Sequence, residues 1–142
     1  MIMTTMAKAQ VVFICLGNSC RSIMAEALAR HLYGEALAAA SAGINPLGFV
    51  APETLQVLGE MGVDTQGLRS KGLKEIDFRE CRLLVNLTNY SLKAILPGSF
   101  RGQLINRVIM DPYGGGLELY RQSRDAIHRW LAEELEGVLK SA

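Results

Sequence analysis

Two of the chain's three cysteines fall within FICLGNSCRS, residues 13–22, at the end of an apolar run. Three chemistries place thiols this densely: a redox pair, half of a metal site, and a nucleophile set in an anion-binding loop. Cys15, Arg21 and Ser22 have the spacing C-x5-R-[ST]. A five-residue loop that closes onto a helix can turn successive backbone N–H groups inward. They then form an anion cradle at the positive end of the helix dipole. Within the loop, Gly17 has access to conformations other residues avoid, and Asn18 tolerates the left-handed region. Arg21 offers a planar fork that matches two oxygens of a phosphoryl group. Cys15, at the loop entrance, lies under both the dipole and Arg21, a setting that favours the thiolate. A thiolate below a bound phosphoryl group is a nucleophile aimed at phosphorus. Ser22 is placed to hydrogen-bond that sulfur and steady it as a leaving group, while Leu16, Ser19 and Cys20 complete the loop around the anion.

Such a reaction also needs a proton donor for the leaving group and a base for the hydrolytic water. The chain has only four aspartates. Asp77 and Asp125 sit in charged surroundings that read as solvated faces, and Asp64, after Gly62-Val63, reads as turn chemistry. Asp111 follows QLINRVIM and precedes Pro112, on a loop beyond an apolar run, and is the candidate acid. The metal alternative is poorly supplied, because His31 and His128 share no ligand spacing with the cysteines.

The elements that must position these groups are legible as strand–helix alternation. QVVFIC (10–15) reads as a buried strand, followed by a helix from Ser22 to Tyr33 with Met24, Leu28 and Leu32 in register and Gly34 as its stop. ALAAASAG (36–43) is expected as a second strand, chiefly by position. Pro52 opens a helix carrying Leu55, Leu58 and Met61 and closed by Gly62. RLLVNLT (82–88) and QLINRVI (103–109) are the third and fourth strands, with a short helix expected from Ser91 to Leu96. A long helix from Leu117 to Leu139 bears Tyr120, Ile127, Leu131, Leu135 and Val138 along one stripe. Alternation of this kind implies a parallel sheet flanked by helices, with ligands beyond the carboxyl ends of the strands.

At 142 residues, 49% of them hydrophobic, the chain is read as a single domain, 1–142. A net charge of +1 supports neither a nucleic-acid nor a membrane surface as a partner. MIMTTMAKAQ lacks the pattern of a secretory signal, no run approaches a membrane span, and the odd cysteine count suggests no disulfide framework. A cytoplasmic, reducing setting is the expectation.

CLGNSCRS together with the later DPYGG and the SAG at 41–43 resembles the low-molecular-weight protein tyrosine phosphatases. Their relatives include bacterial protein arginine phosphatases and thioredoxin-coupled arsenate reductases. The resemblance spans essentially the whole chain. It implies a flavodoxin-like three-layer α/β sandwich with a four-stranded parallel sheet. It also implies a metal-independent, cofactor-free cysteine phosphatase acting on a phosphoprotein, with phosphate, sulfate or vanadate able to occupy the loop. Carried onto this chain, Cys15 is the nucleophile that becomes a cysteinyl-phosphate, Arg21 the clamp, and Asp111 the Asp-Pro acid. Tyr113 falls where the family keeps an aromatic wall, and Phe49 is a second wall candidate or a core residue. Where the family commonly has Pro after the signature Ser, this chain has Ile23. The resemblance also suggests that Cys20 can pair with Cys15 against over-oxidation, beside the plainer reading that it packs beneath the loop.

Ser19 occupies a position where tyrosine-specific relatives usually carry Ile, arginine phosphatases Thr and arsenate reductases often Ser, so phosphotyrosine and phosphoarginine both stay open. Arsenate reduction on the same loop is the alternative reaction, but it relays electrons through further cysteines. Cys81, seven residues before the end of the third strand, lies roughly 20 Å from that end at about 3.3 Å per residue. A non-catalytic phosphate-binding module is the alternative of a different class, and it would need neither Cys15 nor Asp111.

Overall fold

A computed structural model describes residues 9–141. The N-terminal MIMTTMAK, read above as no secretory signal, lies outside the described residues. β1 (Ala9–Cys15) is a run of β-branched and aromatic residues flanked on both sides by strands, and Val11 to Ile14 have no exposure at all. β2 (Leu37–Gly43), β3 (Leu83–Asn86) and β4 (Gln103–Asn106) complete a four-stranded sheet in the order β2-β1-β3-β4, with every pair parallel. Alternate residues of the central strands face opposite layers. Val11, Phe13, Leu83 and Val85 pack into one core, and Val12, Ile14 and Leu84 into the other.

The first core is covered by helices α1 (Arg21–Tyr33), α2 (Pro52–Gly59) and α3 (Leu117–Trp130), the last continuing through a π turn (Leu131–Leu135) into α4 (Glu136–Ser141). The second core is covered by short 3₁₀ turns (Leu73–Glu75, Phe78–Glu80) and by loop residues such as Leu92 and Phe100. These are the three layers expected, one of them thin. The small residues of β2 let α1 lie close against it, and Arg21 to Ala29 are buried without interruption. The π turn leaves the Leu131 carbonyl in reach of Tyr33, whose hydroxyl donates to it at 2.6 Å.

Three expectations are corrected. Residues 91–96 form a single turn, closed by Leu96 N–H on the Leu92 carbonyl at 3.1 Å, not a helix. Pro97 and Gly98 follow at once and deny it a second turn. The β4 ladder is shorter than 103–109, because Val108 turns out to solvent while Arg107 and Ile109 donate back to Asn86 and Leu87. Leu32 leaves the apolar stripe of α1 and is 37% exposed, in the last turn of the helix.

Arg121 and Arg124 of α3 clasp Glu60 just past α2, at 2.7 and 2.8 Å. The hydrogen bond from Arg121, foremost, and that from Arg124 outweigh desolvation and pull this carboxyl down to about 2. A carboxyl depressed in the folded state stabilises the fold above its unfolded value, and that contribution goes as pH falls through the folded value. From an ordinary value of 4.5, the window runs from about pH 4.5 down to about 2. Glu60→Gln is therefore expected to flatten the fall in melting temperature across that window. The difference from the parent should shrink at high salt, because the group is exposed. Deleting a buried side chain acts at every pH: Leu28→Ala, at a site with no exposure, is expected to cost about 2–5 kcal/mol in urea unfolding.

Candidate active site

β1 ends at Cys15 and α1 begins at Arg21, so residues 16–20 form the loop between strand and helix. The loop's carbonyls are turned outward. Those of Cys15, Leu16, Gly17 and Ser19 accept from Ile44, Asn45, Leu47 and Ala51 at 2.8 to 3.2 Å. Among the described residues, no N–H from Leu16 to Cys20 donates to a protein group, and no side chain caps α1. A ring of unpaired donors at a helix N-terminus is an anion site.

Asn18 holds this shape. It has φ 46°, the one positive φ among the described non-glycine residues, and it is fully buried. Its Oδ1 accepts the Lys71 N–H at 2.8 Å, which orients the amide, and its Nδ2 donates to Ser22 Oγ at 2.6 Å and Ser41 Oγ at 3.0 Å. Ser41 in turn donates to Glu26, a buried carboxylate whose charge is met by Arg30 at 2.6 Å and the Lys71 ammonium at 3.5 Å. Thr54 and Ser70 hold the Ser19 and Gly17 carbonyls from outside at 2.8 and 3.1 Å. Gly43 backs the loop so closely that a Cβ there would stand 2.8 Å from the Asn18 nitrogen. Gly17, expected to supply conformational freedom, has no positive φ; its missing side chain instead makes room for Leu47, whose Cγ would lie 2.9 Å from a Cβ.

The reactive groups converge on this cradle. Cys15 is 2% exposed, and its sulfur lies 2.9 Å from Ser22 Oγ. Ser22 accepts from Asn18, which leaves its own hydrogen for the sulfur. Arg21 Nη1 is anchored on the carbonyls of Leu87 and Ile109 at 3.3 and 3.1 Å, its Nη2 lies 3.5 Å from Asp111 Oδ2, and its buried Nε has no partner. Asp111 is half exposed at the rim, steadied by the Tyr113 N–H on Oδ1 at 3.0 Å. Cys15, Leu16, Gly17, Ser19, Cys20, Arg21, Asp111 and Tyr113 all line one cleft of about 100 Å³. Asn18 and Ser22 stand behind it as supports, not in its lining. Phe49 is not a core residue: it is 47% exposed, with its ring 6.5 Å from that of Tyr113.

The cysteines differ in kind. Burial pushes the Cys20 thiol up from its ordinary value. It donates to Tyr120 Oη at 3.5 Å within the helical core. Cys81, pushed up to about 11 by burial, lies beside the N-terminal ends of β1 and β3, where Arg82 N–H meets the Gln10 carbonyl. All three are free thiols. Among the described residues no three metal-ligating side chains cluster. Asn45 and Leu47 line the cleft without having been singled out, and neither type carries a signal of its own. Glu26 did carry one: an acid inside the otherwise apolar IMAEALA of a buried helix.

Residues 10–141 match the family described as low molecular weight phosphotyrosine protein phosphatase. The protein-arginine-phosphatase of Bacillus subtilis is 29% identical, over 89% of this chain and 96% of its own. The low molecular weight phosphotyrosine protein phosphatase of Schizosaccharomyces pombe is 33% identical, over 75% and 82%. An arsenate reductase solved in a phosphate-binding state superposes with a TM-score of 0.77 at 25% identity, over 94% and 98%.

Asn18→Ala would remove three hydrogen bonds at about 1 kcal/mol each and leave alanine in the left-handed region at a further 1. The expected loss is roughly 2–4 kcal/mol of unfolding free energy, together with weakened retention of vanadate by the folded protein, read by calorimetry.

Proposed function

The chain belongs to the low-molecular-weight phosphotyrosine protein phosphatase family, and on that premise we propose that it is a metal-independent cysteine phosphatase acting on phosphoproteins. The observation that carries this reading is the unpartnered, buried Nε of Arg21, held at the edge of a ring of inward-facing N–H groups. A phosphoryl group supplies the acceptors these donors lack.

Two steps follow. The Cys15 thiolate attacks phosphorus in line; the S–P bond forms as the bond to the leaving group breaks. The loop N–H groups and Arg21 hold the equatorial oxygens as charge builds on them. Asp111 gives its proton to the departing oxygen or nitrogen. As carboxylate it then takes a proton from the water that attacks the cysteinyl-phosphate, releasing phosphate and the Cys15 thiolate. Ser22 donates to that sulfur and lowers the barrier to its departure. Cys20 is turned to Tyr120, and burial raises its thiol, both of which disfavour it as a competing nucleophile.

Two phosphorylated side chains have support. Ser19 Oγ is buried at the cleft without a partner, which favours the N–H groups of phosphoarginine. The facing rings of Phe49 and Tyr113 favour the flat ring of phosphotyrosine. Arsenate reduction has less support, since the one remaining thiol, Cys81, lies at the opposite end of the sheet. A module that only binds phosphate would have no use for Asp111 poised beside Arg21.

Hydrolysis of p-nitrophenyl phosphate is expected to persist in excess EDTA and to vanish in Cys15→Ser, which still binds vanadate. Turnover near the parent rate in Cys15→Ser, or its loss in EDTA, would overturn the reading. Asp111→Asn is expected to lower kcat on phosphopeptides by about 10²–10³-fold. The loss should be smaller on p-nitrophenyl phosphate, whose leaving group needs little help from an acid. The ratio of kcat/KM for matched phosphoarginine and phosphotyrosine peptides decides between the two side chains.

A further inference from the structure

A second groove, of about 240 Å³, adjoins the catalytic cleft and shares Leu16, Arg21 and Asp111 with it. Its far side is formed by Tyr90, Val108 and Met110, which are 56%, 55% and 50% exposed. Six of the ten large apolar side chains left exposed among the described residues stand around these two openings: Leu47, Phe49, Tyr90, Val108, Met110 and Tyr113. Apolar surface gathered at one place on a soluble domain marks an interaction site.

The backbone beneath these side chains is held by buried polar groups. Asn86, 1% exposed, donates from Nδ2 to the Tyr90 carbonyl at 2.7 Å, and the Tyr90 N–H is held by Thr88 Oγ1 at 3.0 Å. Ser123, 2% exposed, donates to the Met110 carbonyl at 2.9 Å. Between them, Ile109 gives its N–H to Leu87 and its carbonyl to Arg21. Exposed apolar side chains on an anchored backbone lose little freedom on binding, which is what a recognition surface requires.

We propose that this groove takes an apolar or aromatic side chain of the substrate polypeptide, one or two residues from the phosphorylated one. The inference rests on the phosphoprotein reading above. Leu16, Arg21 and Asp111 line both openings, so a polypeptide whose phosphorylated side chain fills the cleft passes within reach of the groove. One or two residues at about 3.5 Å each carry the next side chain into the second groove. The occupant is committed by continuity: any phosphoprotein delivering a residue to Cys15 must lay its chain over one of the two apolar flanks.

The test is a set of phosphopeptides with Phe or Gly at each of the two positions on either side of the phosphorylated residue, hydrolysed by the wild type and by Tyr90→Ser/Val108→Ser. The expected result is a preference for Phe at one position of about 10-fold in kcat/KM, expressed in KM. It should collapse toward one in the double variant and be halved or more in Met110→Ser. Equal rates on Phe and Gly peptides in the wild type, or a preference the variants retain, would overturn the proposal. So would a concentration-dependent sedimentation shift abolished by Tyr90→Ser, which would assign the groove to a second copy of this chain. Failure of the wild type to hydrolyse both p-nitrophenyl phosphate and every peptide would instead count against the phosphatase reading. Absence of any Phe preference in the wild type is decisive by itself, and hydrolysis of p-nitrophenyl phosphate retained by each variant shows that it is folded, so that a preference lost in it is assigned to this groove.

Discussion

One buried side chain, Asn18, is the constraint on which the site depends. A left-handed residue in the middle of the loop turns the flanking peptides so that their carbonyls face outward and their N–H groups inward. Asparagine tolerates that conformation at modest cost, and its amide satisfies three partners while holding it. Loop shape and sulfur are thereby linked through one residue, because the Ser22 hydroxyl that Asn18 orients is the one that meets Cys15. Glu26 extends the linkage into α1. Its charge is met by Arg30 and Lys71, and Ser41 passes its hydrogen bonding back to Asn18. A buried carboxylate without those cations would cost several kcal/mol, so the arrangement has to be complete to be stable.

The other half of the site hangs on Arg21. Its guanidinium takes carbonyls from two places, Leu87 beyond β3 and Ile109 beyond β4, and so reads the ends of both strands at once. The strand order β2-β1-β3-β4 brings those ends beside Cys15 on a single edge of the sheet. Anchoring one nitrogen deep in the protein leaves the rest of the fork to face the cleft, pre-oriented before any anion arrives. Preorganised donors do not have to be rearranged when charge develops, and the proposed phosphoryl chemistry would draw on that. The same Ile109 carbonyl ties the second groove to Arg21, so the flank proposed for the substrate and the proposed clamp share one backbone.

Much of this was legible from residue types. The spacing of Cys15, Arg21 and Ser22 and the Asp111-Pro112 pair carry their chemistry in local sequence, because a loop entering a helix is a local structure. The strand β1 shows its burial as an unbroken apolar run, and the helix α3 shows its buried face as periodicity. The segment at 91–96 was misread as a helix for the converse reason: a single turn has too few residues to show a period, and Pro97 terminates it. Gly17 was misread in its reason, since its need for space comes from Leu47, thirty residues away.

By itself, then, the sequence determined a parallel sheet and singled out Cys15, Arg21 and Asp111, the residues proposed as nucleophile, clamp and acid, which the structure brings to its carboxyl edge. Each follows from neighbours within one turn or one strand. Tertiary structure alone decided what surrounds them. Lys71 and Ser41 meet Asn18, Phe49 faces Tyr113, and Tyr90 stands beside Val108, all across separations that no local pattern spans. Those contacts depend on how strands in the order β2-β1-β3-β4 bring distant loops to one edge. Strand order is set by the packing of whole layers, which is a property of the folded chain and not of any window within it.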